Sequence, residues 1–179
     1  MNAGRAATGP DADEVVEIPS PAGLLRLRPE REEDREFRYA LFCDTRQPEF
    51  ATMLPPPVYR QVMTHQFEAQ TLSYRNDFPG ARFDIIELDG RPIGRIVIYR
   101  PGTMVYIVDQ AIVPALRGRG IGSAVMRALM AEAQSFGMPV RLTVPSDRDA
   151  SLRLYLKLGF VPTESVPAQT RLEWRADAR

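Results

Sequence analysis

Some residue types and patterns are scarce in this chain. One of its 179 residues is Cys and one is His, so no disulfide can form within it. It contains no run of 18 apolar residues and no charged-then-apolar leader, the patterns of membrane spans and export signals. We therefore expect a cytoplasmic protein that has no membrane partner.

Neither sign of charge is in excess, since Lys plus Arg and Asp plus Glu each number 23. Such a chain has no overall field to attract nucleic acid or an anionic membrane, so any anion site has to be local. The length suits one domain that buries a core without disulfides or metal. We expect neither a nucleic acid partner nor a metal ion.

Hydrophobic periodicity divides the chain into an arm and a domain. Residues 1–23 mix Gly, Pro, Ala and acidic side chains without an apolar period, which predicts a mobile arm before a domain over 24–179. Apolar runs predict strands at 24–28, 83–88, 93–99, 104–113 and 140–144, with two closing strands within 160–174. Helical spacing predicts helices at 30–46, after Pro57, at 121–136 and at 147–158.

This order of elements predicts an α/β fold. Early strands joined through Asp89-Gly90, a strong hairpin pattern, precede alternating strands and helices. We expect a mixed central sheet of about six or seven strands with helices on both faces. The closing strands leave an edge through which a homodimer could form.

The predicted second helix carries two apolar stripes. The first consists of Val58, Val62, His65, Ala69 and Leu72, and the second of Tyr59, Met63, Phe67 and Tyr74. Aromatic stripes at helical spacing are core more often than pocket lining. His65 lies on an apolar stripe, which favours a packed or edge residue over a catalytic base.

A glycine-rich loop, Arg117 to Gly122, leaves a predicted strand and opens a predicted helix. The first amides of a helix have no intrahelical partner and lie at the positive end of its dipole. Gly118, Gly120 and Gly122 permit positive φ and close approach of an anion, and Arg117 and Arg119 add permanent charge. The loop is a predicted cradle for a diphosphate.

Spacing separates this loop from two nucleotide motifs. A P-loop needs Lys after its second glycine, and no Lys follows a glycine here. A dinucleotide fingerprint needs a third glycine, but counting from Gly120 places Val125 there. A turn rich in Arg and Gly that only starts a helix is the remaining alternative.

Two motifs resemble the GCN5-related N-acetyltransferase (GNAT) family. Arg117-x-x-Gly120-x-Gly122 is similar to its coenzyme A motif, and Leu154-Tyr155-Leu156-Lys157-Leu158-Gly159-Phe160 is similar to its Leu-Tyr-x-Lys-x-Gly-Phe segment. The resemblance implies a GNAT-type fold and transfer of an acetyl group from acetyl-CoA, as co-substrate, to a primary amine on a small molecule or peptide. The amine acceptor is not implied.

The resemblance also implies roles for individual residues. Backbone groups of Ala111, Ile112 and Val113 should bind the pantetheine arm, and Tyr155 matches the frequent general acid of the family. The pyrophosphate should meet the amides of Gly118, Arg119, Gly120, Ile121, Gly122 and Ser123, with Arg117 and Arg119 beside it. The family often has Asn and Ala before the Leu-Tyr pair, where this chain has Arg148 or Asp149 and Ser151. Arg148 could approach a cofactor phosphate, but we favour a solvated arginine at the helix start.

Direct attack requires a neutral amine, whereas a lysine-like amine has a pKa of about 10.4. Asp109 is the one carboxylate of its predicted strand and is the candidate base, acting through water, although a structural ion pair is equally compatible. Its rivals are Glu87, Glu68 and Glu173. A backbone N–H near Ile112 could stabilise the oxyanion.

Two other hypotheses remain open at this stage. The chain could be a coenzyme A binding sensor or interaction module without turnover, although Tyr155 argues for an enzyme. It could also be a structural protein whose loop binds nothing. Cys43 has no His near it in sequence, so packing is its expected role.

Overall fold

A single mixed sheet of eight strands runs through the computed structural model, which describes residues 9–11, 13–45 and 53–176. The strands are β1 (Val16–Ser20), β2 (Gly23–Pro29), β3 (Arg82–Leu88), β4 (Arg91–Tyr99), β5 (Val105–Ile112), β6 (Val140–Pro145), β7 (Val161–Val166) and β8 (Gln169–Trp174). They pair in the order β1-β2-β3-β4-β5-β6-β8-β7. β5 and β6 run parallel, and the other neighbouring pairs are antiparallel.

The helices of the described residues connect these strands close to the predicted positions. They are α1 (Arg35–Asp44), α2 (Pro56–Asp77), α3 (Ile121–Ser135) and α4 (Asp149–Lys157), with 3-10 turns at Glu32–Asp34 and Pro114–Leu116. α2 begins at a proline, whose missing N–H costs nothing in the first turn. Within the described ranges, no helix is long and apolar enough to cross a membrane.

Helices cover both faces of the sheet, as the sequence predicts. On β4, Ile96 and Ile98 belong to the main core cluster, which also holds the buried residues of α3. Arg95 directly precedes Ile96 on the strand and so faces the opposite side. There α1 and α2 form a second cluster around Phe42 and Phe67, whose ring centroids are 5.6 Å apart.

The sheet has one strand more than the highest predicted number because β1 lies inside the predicted arm. Val16 to Ser20 pairs with β2 through a tight turn in which Ser20 Oγ donates to Gly23 O at 2.7 Å. Ile18 is the one buried side chain of this edge strand. Polar and proline residues around it conceal the alternation, so the predicted boundary at residue 23 is wrong for residues 16–20.

The two apolar stripes of α2 have different surroundings. The stripe of Val58, Val62, His65, Ala69 and Leu72 is exposed to solvent. Met63 and Phe67 of the second stripe are buried against α1. The second stripe is the buried one because Phe67 makes edge-to-face ring contacts with Tyr39 and Phe42 of α1.

An irregularity in β5 positions the candidate site. Its register against β4 shifts between the pairs Val97↔Asp109 and Ile98↔Ile107, so Val108 is an extra residue that forms a β-bulge. Pairing with β6 stops after Ile107. Beyond that residue β5 and β6 separate, which leaves a gap inside the sheet.

Candidate active site

A cavity of about 240 Å³ lies at the gap between β5 and β6. Both strands contribute to its wall, as do α1, α2 and α4. Its lining includes Asp109 and Ala111 of β5, Thr143 of β6 and Tyr155 of α4. Side chains from α1, α2 and α4 therefore meet around one cavity at the gap.

Backbone groups of β5 face this gap. Val113 N donates to Ile93 O of β4 at 2.9 Å. Ala111, two residues earlier on β5, lies opposite Arg95 of β4 in the same register. Hydrogen-bonded pairs alternate along an antiparallel ladder, so the amides of Gln110 and Ile112 turn to the opposite side, where β6 has moved away. The N–H groups of Gln110 and Ile112 thus face the gap, as donors of the kind that bind an extended ligand.

The glycine loop lies at the start of α3. Gly118 and Gly120 have φ of 74° and 78°, and Gly120 is the residue that caps the helix. A Cβ on Gly118 would meet no atom within 4 Å, so the space in front of this turn is open. The amides at the start of α3 have no intrahelical partner, and a phosphate fits such a turn.

Contacts connect this loop to β5. Arg117 Nε donates to Ile112 O at 2.9 Å, and Gln110 Nε2 donates to Gly122 O at 3.3 Å. The strand that borders the gap and the loop that opens α3 are thereby held together. Arg119 is exposed, as is Arg117, so both guanidinium groups are accessible to an anion.

Tyr155 and Asp109 lie in the same cavity. Tyr155 is 9% exposed, and its ring meets the edge of Phe160 at a centroid distance of 5.7 Å. Burial, and secondarily the charge of Asp109, raises the pKa of the Tyr155 hydroxyl to about 12. The phenol is therefore protonated throughout the neutral range and can donate a hydrogen bond into the cavity.

The rival carboxylates are occupied elsewhere. Glu87 accepts from Arg28 Nε at 2.7 Å, and exposed Glu68 accepts from Arg35 at 3.0 Å. Glu173 is held by guanidinium groups of Arg175 and Arg141, which keep its pKa below the ordinary value. These three do not line the cavity, whereas Asp109 does.

Arg148 differs from its predicted role as a solvated arginine. Its Nη2 donates to Thr45 O at 2.5 Å, and the side chain lines the cavity beside α4. The carbonyl at the end of α1 provides this partner, which sequence spacing could not reveal. His65 is exposed on α2, and Cys43 packs at the margin of the α1–α2 cluster.

Sequence analysis missed two cavity residues, Arg38 of α1 and Arg95 of β4. Both are buried beside Glu30, which accepts a hydrogen bond from each. One indication was available, since Arg95 is the only charged side chain in the apolar run from Ile93 to Ile98. A buried strand tolerates such a charge only with a partner.

This arrangement agrees with a match to a known family. The family model described as "Acetyltransferase (GNAT) family" matches residues 42–160. The chain belongs to this family. The match contains the gap, the glycine loop and Tyr155, which are the features built above from the residues themselves.

Individual relatives are more distant. An L-2,4-diaminobutyric acid acetyltransferase of Nocardia farcinica (strain IFM 10152) is 32% identical over 88 residues. That segment is 47% of this chain and 45% of the relative, so the match spans less than half of either protein. It supports the family assignment without defining a substrate.

Solved structures share the fold. A PaiA N-acetyltransferase of Thermoplasma acidophilum in complex with coenzyme A superposes with a TM-score of 0.64 at 14% identity, covering 85% of this chain and 99% of that one. The GNAT domain of PAT from S. lividans gives 0.59 at 17% identity, covering 94% and 100%. Identities this low show the fold alone, and they confirm the predicted GNAT-type architecture.

Proposed function

We propose that the protein is an N-acetyltransferase that moves the acetyl group of acetyl-CoA directly to a primary amine. The observation that carries this proposal is the junction at the β5–β6 gap. There the backbone of β5 and Tyr155 border one cavity, and hydrogen bonds from Gln110 and Arg117 tie the start of α3 to β5. A structural relative solved with coenzyme A supports the choice of donor.

The donor half of the site would use mainly backbone groups. Of Ala111, Ile112 and Val113, which the resemblance implies for the pantetheine arm, Ile112 turns its N–H to the gap, where amide groups of that arm can continue the ladder that β6 leaves incomplete. The amides from Gly118 to Ser123 would hold the pyrophosphate. Arg117 and Arg119 would add charge-assisted hydrogen bonds.

The transfer half would use two side chains and one amide. Asp109 would accept the proton of the attacking amine through a water molecule. The N–H of Ile112, which faces the gap, would stabilise the oxyanion formed during attack. Tyr155 would donate a hydrogen bond to the sulfur as negative charge develops on the departing thiolate.

The acceptor would be a small amine. The cavity volume, about 240 Å³, lies below the roughly 300–1,000 Å³ usual for small-molecule sites. Diaminobutyrate, which the Nocardia relative is named for, belongs in the first substrate panel. Polyamines, aminoglycosides, amino acids and lysine peptides complete it.

Two measurements test the proposal. Calorimetry should detect acetyl-CoA binding, and millimolar acetyl-CoA should raise the melting temperature. Absence of both effects would remove the cofactor assignment. Thiol release over the amine panel should then identify an acceptor, and binding without thiol release from any amine would favour a non-catalytic coenzyme A sensor instead.

A further inference from the structure

Three arginines surround one buried carboxylate at the α1–α2 side of the cavity. Glu30 accepts from Arg38 Nη1 at 3.2 Å, from Arg75 Nη2 at 2.9 Å and from Arg95 Nε at 3.1 Å. The side chains of Arg38, Arg95 and Glu30 are 8%, 7% and 6% exposed, whereas Arg75 is 54% exposed. The buried part of this cluster therefore holds two positive charges and one negative charge.

Two donors of this cluster are unused. Arg38 Nε and Arg95 Nη2 are buried and have no hydrogen-bond partner among the described residues. A buried unpaired donor costs about 1–3 kcal/mol, and more when it is charged. Such groups call for a ligand, because folded proteins satisfy the great majority of their buried donors.

Both arginines line the cavity that contains Tyr155 and Asp109. Glu30 and two aromatic rings hold both guanidinium groups in position. The guanidinium carbon of Arg38 lies 5.8 Å from the ring centre of Phe67, and that of Arg95 lies 5.4 Å from that of Phe83. The donors are therefore held in place before a ligand arrives.

The charges along the cavity wall are unequal. Arg38, Arg95 and Arg148 contribute three positive charges, and Asp109 contributes one negative charge. Burial and the neighbouring guanidinium groups lower the pKa of Arg38, although Glu30 opposes this effect, so an added anion would be stabilised there. The guanidinium groups of Arg38 and Arg95 suit a negative charge on a small molecule. Asp109, beside Tyr155, suits a positive charge on the same molecule.

We propose that the acceptor is a small amino acid whose carboxylate binds Arg38 and Arg95 while its amine approaches Asp109. This inference rests on the proposed acetyltransferase function and names its substrate class. A carboxylate supplies acceptor oxygens for the guanidinium groups of Arg38 and Arg95 on the wall of the cavity. A diamine has no carboxylate to bind these two guanidinium groups and would be selected against.

The test compares substrates that differ only in the carboxylate. L-ornithine is paired with 1,4-diaminobutane, and L-lysine with 1,5-diaminopentane. Thiol release gives kcat/KM, and calorimetry on the protein with and without coenzyme A gives an affinity independent of turnover. We expect the amino acid of at least one pair to be favoured roughly 10- to 100-fold, as for hydrogen bonds to charged groups. Equal values, preference for the diamines, or no binding by either amino acid would overturn the inference.

Two variants locate the preference. Arg38→Gln should reduce it to within about threefold, through a higher KM for the amino acid, with the diamine and acetyl-CoA affinities unchanged. Arg75→Gln is the matched control, because Arg75 bonds the same Glu30 but does not line the cavity, and it should retain the preference. Loss of the preference in both variants would contradict a direct contact.

The outcomes separate this inference from the proposed function. If acetyl-CoA binds and diamines react as well as amino acids, the acetyltransferase assignment stands and the carboxylate site is wrong. If acetyl-CoA does not bind, the proposed function is wrong, and the calorimetric comparison without coenzyme A still tests the carboxylate site. The wild-type comparison requires no variant to fold.

Discussion

Tyr155 lies buried in the cavity that Asp109 also lines, although the two side chains come from α4 and β5. Burial, then the nearby carboxylate, raises the pKa of the phenol to about 12. A phenol in this environment keeps its proton at every physiological pH. It can thus serve as a permanent hydrogen-bond donor beside a carboxylate that can accept a proton.

Replacing Tyr155 with Phe should lower turnover with little change in acetyl-CoA affinity. Phe retains the ring that packs against Phe160, so the variant loses the hydroxyl and keeps the packing. We expect turnover to fall about 100-fold, at the lower end of the range for general acid catalysis. Thiol release measures turnover and calorimetry measures affinity. An unchanged turnover would remove Tyr155 from the reaction.

The same hydroxyl should affect stability at alkaline pH. In the unfolded chain a tyrosine ionises near pH 10, but folded Tyr155 ionises near 12. The unfolded state loses its proton first, so stability is constant below pH 10 and declines as the pH rises toward 12. From pH 9 to 11, urea unfolding should show the free energy of unfolding falling by about 1 kcal/mol more in the wild type than in Tyr155→Phe. Parallel losses would contradict the raised pKa.

Asp109→Asn should give a defect that depends on pH. Without a base, the reaction must use the small neutral fraction of an amine whose pKa is about 10.4, so turnover at pH 7 should fall at least about tenfold. The difference from the wild type should shrink as the pH rises toward 10. Glu68→Gln is the control, because Glu68 forms an exposed ion pair with Arg35. A defect that is constant from pH 6 to 10 would indicate a structural role for Asp109.

Arg117→Ala should weaken acetyl-CoA binding about tenfold, the loss expected for one hydrogen bond to a charged group. The substitution also removes the bond from Arg117 Nε to Ile112 O. Raising the salt concentration should reduce the difference in acetyl-CoA affinity between the variant and the wild type, because Arg117 is exposed and salt screens its attraction for a phosphate. Arg127→Ala, at an exposed position on α3, should bind normally. Equal affinities in the two variants would exclude a contact by Arg117.

Two glycine substitutions separate stability from binding. Gly120 and Gly137 both have positive φ, 78° and 66°, at opposite ends of α3. Alanine should destabilise the fold by about 1 kcal/mol at either position. A Cβ on Gly120 would also lie 3.1 Å from Pro21 Cγ and would displace the loop amides. We expect Gly120→Ala alone to weaken acetyl-CoA binding, roughly tenfold for the loss of one charge-assisted bond. An equal loss of acetyl-CoA affinity in Gly137→Ala would exclude the glycine loop as the binding site.

Local patterns predicted most of the fold. The strands from β2 to β6 and the helices α1 to α4 follow apolar runs or helical spacing, and the glycine loop follows β5 as its spacing indicates. β1 was missed because it buries one side chain, Ile18, and lies among Pro, Gly and acidic residues. A strand that contributes so little to the core gains its stability from pairing, which a single sequence does not display.

The site could be predicted only in part, for a similar reason. The glycine loop and Tyr155 belong to continuous segments, and Tyr155 and Asp109 both line the cavity, while their catalytic roles stay a prediction. The cluster of Arg38 and Arg95 around Glu30 joins residues far apart in the chain, and only the sheet and α1 bring them together. That Glu30 is the partner of Arg38 and Arg95 is therefore apparent only in the folded structure.

The gap in the sheet also has a consequence for solubility. An unpaired strand edge on a protein surface invites pairing with another chain, which leads to aggregation. Here the part of β5 that β6 leaves unpaired borders a cavity that α1 and α4 also line, and does not form the outer edge of the sheet. The protein thus keeps an unpaired strand edge beside a cavity, where it is available to a ligand and protected from pairing with another chain.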